Sequence, residues 1–220
     1  MRFAILASTA FAAAMALAAP ALATVVASQS FESPVLNTPG IQYGPDEYSY
    51  NTNETGPVVI AGVTFSGFSG IISNTSLGVF PNATDGAQAA FLQGYGGGSS
   101  EIDWALTGLT VGQSYKLSFD TAGSLIVPAE SFTVSAFGST PVAFTPATGV
   151  YVTDTLSFTA TSTSGSIDFV GPAVAGNAAS AIDNLVVSVP EPAAWTMMLF
   201  GFGAMGVALR SRRRLATAQA

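Results

Sequence analysis

The chain has 220 residues and contains neither cysteine nor histidine. Disulfides, Cys/His zinc sites, haem and iron–sulfur ligation, Ser-His-Asp triads and Cys-His dyads are therefore excluded. Charge is scarce too, at 9% of residues. Arg2, Arg210, Arg212, Arg213 and Arg214 sit at the two ends, which leaves Lys116 as the only base between them. Against that one lysine stand twelve acids from Glu32 to Asp183, a net charge of −11. Such a surface repels nucleic-acid phosphates and anionic lipids, so no nucleic-acid partner is expected.

The ends carry what the middle lacks. Residues 1–23 begin with Arg2, continue as a small apolar run, break at Pro20 and close on Ala21-Leu22-Ala23. That is the layout of a cleavable secretory signal peptide. Near the other end, Pro190-Glu191-Pro192 precedes a 17-residue apolar run, 193–209, and then Arg210-Ser211-Arg212-Arg213-Arg214. At 1.5 Å per residue the run reaches about 25 Å, near the short limit for a bilayer core of ~30 Å. Trp195 suits one interface, and the arginines favour the cytoplasmic side. One transmembrane helix over 193–209 is the expectation. Gly201-Phe202-Gly203-Ala204-Met205-Gly206 fits G-x-G-x-x-G, but it lies inside this run with no strand before it. It reads as close helix packing, not a dinucleotide loop.

The stretch PEPAAWTMMLFGFGAMGVALRSRRR resembles a PEP-CTERM sorting signal of the PEPxxWA type. Pro190, Glu191, Pro192, Trp195, Arg210, Arg212, Arg213 and Arg214 fall in register with that pattern. Thr196 departs from it, since alanine usually stands there. The resemblance implies an exosortase-type sorting enzyme as partner. It also implies a single-pass stay in the inner membrane of a Gram-negative bacterium, cleavage near the PEP motif, and delivery to the cell surface or an exopolysaccharide matrix.

Residues 24–188 are then the exported passenger. Helical periodicity is missing there. Short runs alternate apolar and polar residues between Gly, Pro, Asn and Ser turns. The clearest are 58–65, 89–93, 101–106, 114–120, 131–137, 155–160, 166–170 and 181–187. Tyr115, Leu117 and Phe119 point one way, with Ser114, Lys116, Ser118 and Asp120 opposite. Trp104 alternates in step with Ile102 and Leu106, as a core residue would. About eight such strands predict an all-β antiparallel jelly-roll β-sandwich.

Four segments in order, QSFESP from Gln29, DGAQAAFLQ from Asp85, LTGLTVGQSYKLSFD from Leu106 and AIDNL from Ala181, resemble galactose-binding-like jelly rolls. That group includes carbohydrate-binding modules and DUF642-type domains. Trp104 stands where a glutamine is common. The resemblance implies a structural calcium held by Glu32 and Asp183 together with backbone carbonyls; oxygen is the only hard-ligand chemistry this domain offers.

Tyr43, Tyr48, Tyr50 and Tyr95 lie in polar or Gly-rich segments, where rings could stack on sugar faces. Glu101 and Asp103, two apart on one strand, are the pair a glycoside hydrolase would need. Adjacent acids on a solvated strand face, common in an acidic β domain, are the plainer reading. The expected function is non-enzymatic: an exported surface or matrix protein that binds or organises extracellular polysaccharide. A hydrolase of the same polymer and a purely structural adhesion module are the alternatives.

Overall fold

The computed structural model describes residues 23–33, 35–36, 58–74, 78–190, 201–203 and 205. Residues 1–22 of the signal peptide, Tyr43, Tyr48, Tyr50, Glu191, Pro192, Trp195 and the terminal arginines lie outside these residues. So does the expected span apart from four positions, 201–203 and 205, which are helical. Among the described residues no helix is long and apolar enough to cross a membrane. Ala23–Pro190 forms one compact unit.

That unit is all-β. Its strands are β1 (Thr24–Gln29), β2 (Val58–Ile60), β3 (Val63–Gly67), β4 (Ser69–Ser73), β5 (Gln88–Tyr95), β6 (Ser100–Thr107), β7 (Ser114–Gly123), β8 (Phe132–Ala136), β9 (Val142–Phe144), β10 (Val152–Thr159), β11 (Ser164–Gly171) and β12 (Asn177–Val189). They pair antiparallel in two sheets. The first runs β10-β7-β12-β5-β4, with β1 added along β12; the second runs β2-β3-β6-β11-β8-β9. This is the jelly-roll type of sandwich that the alternation predicts.

The core lies between the sheets, built from one face of each strand. Tyr115, Leu117 and Phe119 of β7 are buried, while Ser114 and Lys116 are exposed. Trp104 joins the same core at 4% exposure. Aromatic rings bridge the two sheets: Phe119 meets Phe169 edge-on at 5.3 Å and Phe144 at 5.1 Å. At one end Tyr115 stacks on Phe158 at 5.7 Å, and its hydroxyl accepts the Thr110 N–H at 2.9 Å. That bond ties the corner between β6 and β7 to the core.

One expected strand divides. The 58–65 run reads as a single strand, but it is the hairpin β2–β3. Ile60 faces Val63 across Ala61 and Gly62, both at positive φ, 49° and 80°. Two positive φ angles in succession are the I′ geometry that matches strand twist in a two-residue turn.

Candidate binding groove

The first sheet buries Ile71, Ala90, Leu92 and Ile182 in the main core. Because successive side chains alternate, Ile72, Phe91, Gln93, Ala179 and Asn177 fall on its other face. That face is not bare. Ile72, Val79 and Phe91 form a second small apolar cluster, with Phe80 packed against it. Val79 and Phe80 arrive from the β4–β5 connection, while Ile126 and Val127 arrive from the β7–β8 connection. Together with the sheet they line a cavity of about 110 Å³.

Hydrogen bonds sew the two walls to each other. The Leu125 N–H donates to the Val79 carbonyl at 2.8 Å, and the Ser124 hydroxyl donates to the same oxygen at 3.0 Å. In the floor, the Gln93 side-chain amide donates to Asn177 Oδ1 at 2.8 Å. The lining is thus aromatic and aliphatic with one amide pair, the composition of small-molecule sites. Tyr95, 53% exposed, faces Asn177 across the strand pair and rests edge-on against Phe68 at 5.9 Å. It stands beside the cavity and is not part of its lining.

The loop that brings Val79 and Phe80 over the sheet is anchored by carboxylates. Asp183 Oδ2 accepts the N–H groups of Thr84 (2.7 Å) and Asp85 (2.9 Å) and the Thr84 hydroxyl (3.1 Å), and its Oδ1 accepts the Asn184 N–H at 2.7 Å. Glu32 Oε1 takes the next two donors along, Ala87 N–H at 2.9 Å and Gln88 N–H at 2.7 Å. A Cβ on Gly86 would fall 2.3 Å from the Glu32 carboxyl carbon, so glycine lets that carboxylate lie on the turn. Asp120, opposite Asp183 in register, accepts from the Thr84 and Thr153 hydroxyls at 2.7 and 2.6 Å and from the Asn184 side-chain amide at 3.2 Å. Burial alone would raise the Asp120 pKa, but these donors outweigh it and hold it below the usual value. For Asp183 burial wins, and its pKa is raised despite its N–H partners. Burial, then the charges of Asp183 and Asp120, push the Tyr151 hydroxyl up.

Glu32 and Asp183 thus meet on one turn, as the fold resemblance implies, but peptide N–H groups occupy them. Donor hydrogens point at Glu32 Oε1 and at both Asp183 oxygens. Among the described residues no group of three His, Cys, Asp or Glu side chains is placed to hold a metal ion. In this arrangement the two acids act as a clamp on the 84–88 turn.

Glu101 and Asp103 lie on the outward face of the second sheet, away from the cavity. Glu101 is exposed, and Asp103 faces Asp168 across the β6–β11 pair. Partial burial, then the Asp168 charge, raises the Asp103 pKa. These acids share an open sheet face with Thr64 and Ser66 of β3.

Sequence reasoning missed the groove residues Phe80, Phe91, Gln93, Ile126 and Asn177. One cue was present. In QAAFLQGY the outward row after Ala89 is Phe91, Gln93 and Tyr95, too aromatic for a strand that faces only water.

Residues 188–214 match the PEP-CTERM protein-sorting motif. No curated protein matches the chain. Solved structures similar in fold include TmCBM61 in complex with β-1,4-galactotriose, at 20% identity and TM-score 0.43, covering 63% of this chain and 97% of that one. Another is the CBM22-1 xylan-binding domain of Xyn10C from Paenibacillus barcinonensis, at 13% identity and TM-score 0.42, covering 66% and 93%. A third is the K1 cleaved adhesin domain of Lys-gingipain from Porphyromonas gingivalis W83, at 11% identity and TM-score 0.48, covering 73% and 96%.

Proposed function

We propose that the Ala23–Pro190 unit is a non-catalytic, exported polysaccharide-binding module whose ligand occupies the groove on the first sheet. The observation that carries this reading is the cavity of about 110 Å³, with Phe91 and Phe80 beside the Gln93–Asn177 amide pair. Aromatic carbons suit the apolar face of a sugar ring, and amides suit its hydroxyls. The cavity lining contains no acid, base or nucleophile that a hydrolase would use. Calorimetry with β-1,4-galactan and xylan as probes tests the reading. Asn177→Ala should weaken binding by about 5–30-fold, the worth of one or two hydrogen bonds. An unchanged affinity in that variant would place the sugar elsewhere. No binding to any neutral glycan at millimolar sugar would leave the adhesion-module reading.

The sorting motif supports the second half of the proposal: inner-membrane transit on 193–209, then processing by an exosortase-type enzyme near Pro190. Peptides from 193–220 should be absent from the surface fraction in mass spectrometry. Their presence in the released protein would overturn processing.

A further inference from the structure

The groove wall that carries Ile126 and Val127 ends in an unusual anchor. Glu130 closes that loop and is 1% exposed. Its main chain is held: its N–H donates to the Ser180 hydroxyl at 3.0 Å, and its carbonyl accepts from that hydroxyl at 2.8 Å. The Ala179 N–H donates to the Pro128 carbonyl at 3.0 Å. The side chain enters the sandwich, yet among the described residues neither carboxyl oxygen closes a hydrogen bond, nor does the buried Ser100 hydroxyl beside it.

Two glycines are shaped to this intrusion, one from each sheet. A Cβ on Gly94 of β5 would lie 2.8 Å from Glu130 Oε1, and a Cβ on Gly171 of β11 would lie 2.7 Å from it. Neither glycine has a positive φ, so close approach and not backbone conformation demands them. The carboxyl is therefore a plug between the sheets, directly under the groove wall.

Among the described residues no charge faces the plug. β5 presents Gly94, β6 presents Ser100, β11 presents Gly171, the β11–β12 connection presents Pro172 and Val174, and β12 presents Ser180. The titratable groups on these elements turn to the other faces: Tyr95 and Glu101 are exposed, Asp103 and Asp168 pair on the outer face of the second sheet, and Asp183 lies on the outer face of the first. The rest of residues 124–131 carries no charged side chain. An ionised carboxylate with neither partner nor counter-charge is costly in such a place.

We infer that Glu130 is a proton-controlled latch: neutral, it plugs the sandwich and holds the 124–131 wall of the groove in place; ionised, it releases that wall. The inference deepens the polysaccharide-binding reading by naming a regulation of the same site. Burial pushes the Glu130 carboxyl up from 4.5 to about 7; the Gly94 N–H and the Ser100 hydroxyl lie close enough to offset part of that rise, though neither closes a full hydrogen bond to it. A folded-state pKa above the unfolded one gives stability that is complete below pH 4.5 and is lost as pH rises through about 7. The latch is thus closed in acid and open in mild alkali.

The test uses the unliganded Ala23–Pro190 unit, so it does not depend on any sugar. Between pH 5 and pH 8.5 the folding equilibrium constant of the wild type should fall by up to about two orders of magnitude, beyond the change in Glu130→Gln. The amide in that variant stays neutral throughout. Hydrogen exchange at Ile126 and Val127, corrected for intrinsic pH dependence, should quicken at least about tenfold in the wild type only. Glu130→Met serves as a second neutral variant in case the amide packs badly. Parallel pH profiles for wild type and both variants would overturn the latch. So would a wild-type profile that turns flat only when a divalent cation is supplied, since an ion would then be satisfying the carboxylate. Failure of sugar binding with the latch intact would instead count against the groove reading alone.

Discussion

Asp183→Ala should lower the melting temperature of the exported unit by roughly 6–12 °C, the largest loss expected from any polar side chain in it. The carboxylate is fully buried and accepts four hydrogen bonds, three of them from peptide N–H groups. Truncation leaves the Thr84, Asp85 and Asn184 donors without their acceptor, at about 1–3 kcal/mol for each donor that stays dry. Two effects work the other way. The turn at Thr84 and Asp85 is exposed, so water can reach part of it, and the desolvation that raises the Asp183 pKa disappears with the carboxyl. The donors outnumber these offsets, and a net loss of about 3 kcal/mol remains. Glu32→Gln should cost under about 1 kcal/mol, because the amide oxygen can still accept from Ala87 and Gln88 at a half-exposed site. The same melts run in millimolar calcium and in chelator test the proposed calcium at these acids: coincident curves would show that the N–H clamp works without an ion. A chelator-induced drop would show that calcium is bound there. An Asp183→Ala melt within 2 °C of wild type would show that water replaces the clamp fully.

The clamp also marks a boundary of what the sequence made legible. Glu32 and Asp183 were readable as a pair because both fall in recognisable segments at the two ends of the domain. Their third partner, the 84–88 turn, was readable only as a motif. That its peptide groups would fill the carboxylates depends on how the turn packs. Asp120 looked like the solvated end of a strand. The β7–β12 register places it opposite Asp183, under the Thr84 hydroxyl. Register of that kind is set by long-range pairing and leaves no local mark.

Strands legible by alternation share one property: one face in the core and one face wet. β6, β7 and β10 are of this type. β4 is not, since Ile71 enters the main core and Ile72 the smaller cluster, so Ser69–Ser73 shows no period of two. β9 has only three residues. The groove was missed for a related reason, because its walls come from loops about 45 residues apart and each looks like an ordinary connection. Glu130 was the least readable of all. Nothing in Pro128-Ala129-Glu130-Ser131 announces a buried acid, and Gly94 and Gly171 explain themselves only once they are seen on either side of it.

Phe119→Ala should be the most damaging apolar change. Phe119 is fully buried near the middle of β7, between β10 and β12. Its ring reaches across the sandwich to Phe169 of β11 and Phe144 of β9, both edge-on. Loss of a buried phenylalanine costs about 3–5 kcal/mol once the cavity is included. Each lost ring pair adds about 0.5–1.5 kcal/mol beyond the area term. Collapse of the neighbours is restricted, because Phe169 is also in contact with Phe132, at a centroid distance of 6.2 Å. The expected loss therefore lies at the upper end, about 5 kcal/mol, enough to leave a domain of ordinary stability largely unfolded at 37 °C. Lys116→Ala on the exposed face of the same strand should change stability by less than about 0.5 kcal/mol, which separates loss of the ring from damage to the strand. If Phe119→Ala proves too unstable to purify, Phe119→Leu keeps most of the volume and should cost about 1–2 kcal/mol. In the Phe119→Leu background, Phe169→Leu should cost less than it does alone, because the ring pair is already broken. Strict additivity of those two leucine substitutions in chemical denaturation would show that the two sheets are held together by apolar area alone, with no contribution from the geometry of the rings.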